Sequence, residues 1–427
     1  MGTLGVVLDR WARRPGRAFL LLFALSLSVQ GFILTKIDPS AIRPDTRWEA
    51  PAIAVALAER GTFADAYALP TGPTAHLPPI PIAITALAYK LFGTGLAGGY
   101  AAWTAEMVIQ AAMWGTLPWV TGALGLGGGA GLLAGLFGCF IPRWSGHGEG
   151  LAALAMALLM MGFLRRWGPG RRHPVGSLLL GAGAGVAFHV QPALLPVVLG
   201  WMAFELWWRR GHRSGLHLAL MASGILLACI PWGWRNYQAF GTVFFVRDNL
   251  GLELRMGNHP GAAATMDAMD RMGGHRHPRG LEEEALEVRK MGEPAYMRAA
   301  GREAWDWIRE HPGRFAGLTL SRIGHWWLGP LYYPPGALVV SVLTLLALLG
   351  AWGAFPVLST PQRAALLVPL LTFPLIYYVV AYMPRYREPM DWILMILAAA
   401  AVTRGLRSIP PIALTPRRTT PARSGTS

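Results

Sequence analysis

The chain has 427 residues, of which 53% are hydrophobic and 14% are charged, and its mean hydropathy is +0.37. Soluble domains spend about a quarter of their residues on Asp, Glu, Lys and Arg, so this low charge excludes an ordinary soluble fold and indicates a membrane protein. The two cysteines, Cys139 and Cys229, both lie in apolar stretches. A disulfide framework and a zinc cluster built on cysteine are therefore excluded.

The net charge of +15 falls in short basic clusters between apolar stretches, which is typical of cytoplasmic membrane flanks and not of nucleic-acid binding. These clusters lie at 10–17, 165–172, 209–213 and 404–423. Twelve of the 23 acids lie between Arg235 and Pro312, which predicts that this segment is on the opposite, external side. No nucleic-acid partner is expected.

A helix needs about 20 apolar residues to cross the hydrocarbon core, and ten segments meet or approach this length. The predicted spans are 17–37, 96–118, 123–141, 148–164, 175–191, 192–208, 216–234, 337–358, 365–383 and 390–404. The first follows a basic segment, as in a signal peptide, but its apolar stretch is too long, which favours an uncleaved helix. The stretch 79–93 is short and begins with prolines, so we expect it to enter the membrane without crossing, which keeps 165–172 in the cytoplasm.

These features predict an all-α polytopic membrane protein with about ten transmembrane helices and additional helices in its external loops. We expect an N-terminal transmembrane module over 1–234 that includes a first external segment at 38–78. An external region over 235–336, C-terminal transmembrane helices over 337–404 and a basic cytoplasmic tail over 405–427 complete the predicted organisation. Within the external region the sequence predicts a helix pair over 281–291 and from 294 onward. The second helix carries Tyr296, Ala300, Ala304, Trp307 and Ile308 on one face.

The first external segment carries two acids, Asp45 and Glu49, immediately after the first helix. Being four residues apart, they would face the same way on a helical turn. One interpretation is that both are solvated acids that pair with Arg43 and Arg47. The other is that one of them, held beside the amphipathic helix predicted over 51–60, is a general base with a shifted pKa. Asp45 is favoured because it lies closer to the first span.

Further candidates lie near the outer ends of the predicted spans. Glu149, with His147 two residues before it, is either a helix N-terminal acid or part of a substrate site, and His76 is another candidate for that site. Arg385 and Arg387 oppose the positive-inside bias, and Arg is the preferred bidentate ligand of phosphate. They either bind phosphate or anchor the interface. Arg235 is either a snorkelling anchor or a further phosphate ligand.

Four pieces of sequence then suggest a family. In chain order they are ALAERGTF with the following TGPTAHLPPIP, then PWGWRNYQAFG, then VRDNLGLELRMGN, and last PLIYYVVAYMPRYREP. Together they resemble the multi-pass glycosyltransferases of the GT-C superfamily. The likeness is to bacterial relatives of protein O-mannosyltransferases and of the aminoarabinose transferase acting on lipid A.

The resemblance implies a membrane glycosyltransferase of hexosyltransferase type at the plasma membrane. Such an enzyme transfers a sugar from a polyprenyl-phosphate donor to a glycan, lipid or protein acceptor at the outer face, usually with inversion. It implies that Asp45 or Glu49 is the base, and that Arg385 and Arg387, with Arg235 as a further candidate, bind the donor phosphate. The family's eukaryotic mannosyltransferases have an Asp-Glu pair, whereas here three residues separate the two acids.

No metal and no cofactor are expected, because a monophosphate leaving group can be held by arginines and the chain lacks an Asp-x-Asp motif. Two alternatives remain open. The first is a transporter or flippase of lipid-linked sugars, which would also be polytopic and would also bind phosphate through arginine. The second is a catalytically inactive relative that binds a lipid-linked partner.

Overall fold

The computed structural model describes residues 8, 10–140, 148–168, 173–209, 212–272 and 276–408, without the side chains of 212–213 and 406–408. Within these ranges the secondary structure is helical, with two isolated β-bridges and no named strand, which confirms the all-α class. The helices are α1 Pro15–Leu34, α2 Pro39–Ile42, α3 Glu49–Arg60, α4 Pro79–Phe92, α5 Leu96–Ala123, α6 Gly128–Phe140, α7 Glu149–Trp167, α8 Pro174–Val190, α9 Leu194–Trp208, α10 His212–Phe240, α11 Leu250–Gly257, α12 Met266–Met272, α13 Glu282–Met291, α14 Glu293–Glu310, α15 Pro312–Leu328, α16 Pro334–Ala354, α17 Thr360–Thr372 and α18 Glu388–Ser408.

Apolar helices make this a multi-pass membrane protein. Four described segments are long and apolar enough to cross a membrane, namely Pro15–Leu34, Glu149–Trp167, Ser214–Phe240 and Pro334–Val357. Four shorter apolar helices, α4, α6, α8 and α9, accompany them. Because α4 has 14 residues, it is about 21 Å long, which is less than the roughly 30 Å of the hydrocarbon core. That 79–93 enters without crossing stays a prediction, because the described part of α6, a predicted span, is shorter still at 13 residues.

Two predicted boundaries are wrong in the first half of the chain. The helix predicted over 96–118 continues to Ala123, and α6 begins at Gly128 because Gly125 and Gly127 adopt positive φ in the intervening turn. The helix predicted over 216–234 continues to Phe240, so Arg235 lies within α10 and not in the following loop.

The predicted span 365–383 is also wrong as a single helix. The α-helix ends at Thr372, and a 3₁₀ helix over Phe373–Tyr378 follows it. Pro374 lies in the first turn of that 3₁₀ helix and has no N–H to continue the α-helical hydrogen bonding. As a result, the chain between α17 and α18 contains two short 3₁₀ helices, Phe373–Tyr378 and Pro384–Arg387.

Close backbone contacts at glycine hold the bundle together. Where α8 packs along α10, a Cβ at Gly181 would lie 2.0 Å from the carbonyl oxygen of Met221, and one at Gly224 would lie 2.2 Å from that of Leu178. Where α16 packs along α18, a Cβ at Gly350 would lie 1.9 Å from the Leu397 carbonyl oxygen. Small residues of this kind allow membrane helices to approach closely, so larger side chains at these positions would separate the helices.

The two segments predicted to be external, 38–78 and 235–336, share one hydrophobic core. Ile53 of α3, Ile82 of α4, Leu252 of α11 and Val288 of α13 are all buried in this cluster. The predicted helix pair corresponds to α13 and α14. The predicted apolar face of α14 is largely buried, at Tyr296, Ala300, Ala304 and Trp307. This shared core fixes α11, α13 and α14 against α3 and α4.

Candidate active site

The two acids of the first external segment lie in different surroundings. Helix α3 begins at Glu49, and Asp45 precedes it in a turn, so the two acids do not share a helical face as predicted. Both oxygens of Asp45 accept hydrogen bonds from the Arg47 guanidinium, at 2.9 and 3.0 Å, and these bonds lower the pKa of Asp45. Burial instead raises the pKa of Glu49.

Glu49 faces charged side chains from distant parts of the chain. We define the central cluster as Glu49 at the start of α3, Glu149 at the start of α7, Arg247 before α11, Glu253 in α11 and Arg385 in the 3₁₀ turn Pro384–Arg387. Arg385 interacts electrostatically with all three carboxylates, and its Nε lies 3.8 Å from Glu149 Oε1. Arg247 interacts with Glu253, whose pKa is raised by burial. The cluster therefore combines proton acceptors with anion-binding groups.

The three arginines predicted to bind phosphate have different partners. Arg385 belongs to the central cluster. Arg387 lies two residues further along the same 3₁₀ turn, is 2% exposed and donates from Nε to Asp391 at 2.8 Å. Arg235 donates to two backbone carbonyls of the first external segment, at 2.8 and 2.6 Å, and its guanidinium lies over the ring of Trp232. Of the three, Arg385 is the one that the described contacts join to the central cluster.

Two histidines lie beside Glu49. His277 Nδ1 is 3.7 Å from Glu49 Oε1, and the His277 and His76 rings are 5.6 Å apart. His76 is 3% exposed, and burial lowers its pKa well below the usual range. Glu49, His76 and His277 each offer one ligand atom, and these atoms lie within 4.8 Å of one another, so this group could hold a divalent cation. The expectation that no metal is needed stays a prediction.

The structure places the predicted pair of Glu149 and His147 only in part. Glu149 is 5% exposed at the first residue of α7, where the helix dipole favours a carboxylate, and it also joins the central cluster. The helix N-terminal interpretation agrees with this position, and a role of Glu149 in a substrate site stays a prediction. His147 lies outside the described residues.

A buried acid that was not among the predicted site residues holds the first external segment. Glu293, the first residue of α14, is 3% exposed and accepts hydrogen bonds from Tyr67 Oη at 2.9 Å and from Thr74 Oγ1 at 2.6 Å. It also accepts a hydrogen bond from the backbone N–H of Ala75. Asp248 lies against Glu293, and burial together with this neighbouring acid raises the pKa of Asp248 to about 8.

Two solved structures of ArnT from Cupriavidus metallidurans, one bound to undecaprenyl phosphate and one in the apo state, are similar to this chain. Each alignment covers 90% of this chain and 77% of the ArnT chain. The bound form is 17% identical with a TM-score of 0.32, and the apo form is 16% identical with a TM-score of 0.33. ArnT belongs to the GT-C group that the sequence motifs resemble. No protein-family model and no curated protein matches the sequence.

The overlooked residues differ in how visible they are in the sequence. Arg247, Asp248 and Glu253 all lie in VRDNLGLELRMGN, and the four charged residues of this short motif are a signal that the sequence offers. His277 and Glu293 have no such signal, because their partners Glu49 and Thr74 are distant in sequence.

Proposed function

We propose that this protein is an integral membrane glycosyltransferase that transfers a sugar from a polyprenyl-phosphate donor to an acceptor hydroxyl at the outer face of the plasma membrane. The observation that carries the proposal is the central cluster, where Arg385 lies 3.8 Å from Glu149 and within electrostatic range of Glu49. Two of the four sequence motifs supply Arg247, Glu253 and Arg385 to this cluster. An acid and an arginine together are what this reaction needs.

Glu49 is the group that accepts the proton of the acceptor hydroxyl. Its side chain is 21% exposed, so an acceptor can reach it while its surroundings are partly desolvated. The acceptor oxygen then bonds to the anomeric carbon as the bond from that carbon to the phosphate oxygen breaks, and the electron pair leaves with the phosphate. Attack from the side opposite the phosphate inverts the configuration at that carbon.

Arg385 stabilises the negative charge that develops on the departing lipid phosphate. Hydrogen bonds between a guanidinium and phosphate are charge-assisted and are among the strong class of protein hydrogen bonds. The Arg385 side chain is 27% exposed, so a ligand can reach it. Arg247 is the second cation of the cluster and adds to the positive potential at the same place. Glu49 thus acts on the attacking acceptor oxygen, and Arg385 acts on the departing phosphate.

The test is to incubate the purified protein with a panel of polyprenyl-phosphate sugars and candidate acceptors, and to measure released polyprenyl phosphate. Removing a general base typically lowers the rate by about 10² to 10⁴, so we expect Glu49→Gln to lose turnover on this scale. Donor affinity should stay within about twofold, because the base does not hold the phosphate. We also expect turnover to be unchanged by a chelator such as EDTA.

Asp45→Asn is the matched control, because Asp45 is four residues from Glu49 and pairs with Arg47 outside the cluster. This variant should turn over at close to the wild-type rate. If Asp45→Asn loses turnover and Glu49→Gln keeps it, the base is Asp45. If the wild type moves the donor across a bilayer without releasing lipid phosphate, the protein is a flippase.

A further inference from the structure

The first external segment is fixed at Thr74 and Ala75 by hydrogen bonds from several elements. The Thr74 N–H donates to the Phe63 carbonyl at 3.1 Å, and the Thr74 carbonyl accepts from Arg235 at 2.8 Å. The Ala75 carbonyl accepts from the Asp248 N–H at 3.2 Å. The Ala75 N–H donates to the Glu293 carboxylate. Every backbone polar group of these two buried residues is therefore bonded, as buried backbone requires, and partners from several elements make the two residues a rigid platform.

Glu293 is the group in this arrangement that comes from the external helix pair. It bonds Tyr67, Thr74 and Ala75 at once, so one carboxylate joins two parts of the first external segment to the start of α14. Bonds to an ionised or proton-sharing carboxylate are stronger than neutral ones, and a buried carboxylate without them would be costly. Glu293 and the segment thus hold each other in place.

The residue that follows this platform is His76. Its ring lies 5.4 Å from the Tyr67 ring and 5.6 Å from the His277 ring. One of its ring nitrogens lies within 4.8 Å of a carboxylate oxygen of Glu49. Tyr67 both donates to Glu293 and packs edge-on against His76. The position of His76 beside Glu49 is therefore determined by what holds Thr74 and Ala75.

We propose that Glu293 is a positioning residue, which touches neither donor nor acceptor but holds the segment 74–76 so that His76 packs beside Glu49. The assignment rests on the proposed role of Glu49. Through Glu293, the start of α14 sets the position of the segment 74–76 beside Glu49. Its loss affects the chemical step, because that step depends on the placement of Glu49 and its neighbours, while the phosphate contact of Arg385 remains.

The test compares Glu293→Gln and Glu293→Ala with a matched control, Glu284→Gln. Glu284 is a second buried carboxylate of the same helix pair, 7% exposed, and it bonds Arg255, Arg276 and Tyr296 without contacting the first external segment. Because misplacement by about 1 Å can cost about a hundredfold in rate, we expect Glu293→Ala to lose turnover by about that factor. Glu293→Gln, which keeps one oxygen for the Ala75 N–H, should recover part of it. Donor affinity should stay within about twofold in both variants.

Glu284→Gln should lower the thermal stability and keep the turnover of each folded molecule. Equal turnover losses in Glu284→Gln and Glu293→Gln would overturn the proposal, because a merely structural role predicts that outcome.

Amide hydrogen exchange of residues 63–76 gives a second readout that needs no activity. In both Glu293 variants these amides should exchange at least about tenfold faster, and in Glu284→Gln they should keep the wild-type rate. Unchanged exchange in Glu293→Ala would overturn the proposal whatever the enzyme does. If even the wild type shows no transfer while exchange changes as expected, the proposed function fails and the positioning contact stands.

Discussion

At the scale of single residues, the central cluster keeps a carboxylate and a guanidinium close without locking them together. Arg385 Nε lies 3.8 Å from Glu149 Oε1, which is too long for a hydrogen bond. The guanidinium is therefore not held in a bidentate pair with this acid. The proposed role of Arg385 requires this, because its guanidinium must turn to the donor phosphate. Arg387 differs, because its Nε already donates to Asp391 at 2.8 Å.

This difference predicts that the two arginines of the last external turn are not equivalent. Arg385→Gln should weaken binding of polyprenyl phosphate at least about tenfold, since a hydrogen bond to a charged group contributes about 1.5 to 3 kcal/mol and 1.4 kcal/mol is tenfold. Arg387→Gln should change this affinity by less than about twofold and should instead lower stability, because it leaves Asp391 without its partner. The measurement is a binding titration of the purified variants. Equal losses of affinity would mean that both arginines bind phosphate.

Sequence position supplied the candidate pairs but could not distinguish the surroundings of their two members. Asp45 and Glu49 are separated by the point at which α3 begins, and that boundary decides that Asp45 pairs with Arg47 while Glu49 faces the cluster. A four-residue spacing cannot locate such a boundary. Contacts such as His277 with Glu49 depend on the packing of the external helices, for which no local pattern exists.

At the scale of elements, a buried ion pair joins α7 to α9 at the ends opposite the central cluster. Arg166 Nε and Nη2 donate to the two oxygens of Glu205 at 2.7 and 2.8 Å, and Trp167 Nε1 donates to the same carboxylate at 3.1 Å. Glu205 is 0% exposed. A buried charge of this kind is tolerated only because it is fully paired, so removing one partner is more costly than at the surface.

We therefore expect Glu205→Gln to lower the free energy of unfolding by about 3 to 5 kcal/mol, because Arg166 would be left as an uncompensated buried charge. Unfolding of the purified protein in a fixed detergent measures this loss. The control is Glu287→Gln, which removes an exposed pair with Lys290 and should cost no more than about 0.5 kcal/mol. Losses of similar size in the two variants would show that the buried Arg166 and Glu205 pair contributes no more to the free energy of unfolding than an exposed pair.

Hydropathy predicted most of the helices, because burying apolar residues in lipid and in the bundle gives the same pattern. It failed where prolines and glycines interrupt an apolar stretch. The stretch 365–383 is apolar throughout its length, yet Pro374 ends the α-helical hydrogen bonding and produces the 3₁₀ helix Phe373–Tyr378. The apolar content of a stretch predicts that it can be buried. Whether it forms one continuous α-helix depends on the backbone N–H groups, which proline lacks.

At the scale of the whole molecule, α7 joins the central cluster at its first residue, Glu149, to the Arg166 and Glu205 ion pair near its end. The helix has 19 residues and is about 28 Å long, close to the thickness of the hydrocarbon core. The central cluster also unites Glu49, which precedes α4, with Glu149 and Arg385, which follow it. These residues can lie at one face only if the chain between Glu49 and Glu149 returns to the side on which it began. With α5 and α6 each crossing once, we infer that α4 enters only partly.

The last prediction is that 38–78 and 235–336 face outside while the end of α7 faces the cytoplasm. Arg47→Cys and Arg309→Cys should react with a membrane-impermeant maleimide added to intact cells, and Arg165→Cys should react only after permeabilisation, because basic flanks stay on the cytoplasmic side. Cys139 and Cys229 are both buried, so the parent protein should label weakly and serves as the control. Reaction of Arg165→Cys from outside together with Arg47→Cys would mean that α4 crosses fully. That result would separate Glu49 from Glu149 and Arg385 and would remove the central cluster as a site, whereas reversed labelling of all three positions would keep the cluster and place it on the cytoplasmic face.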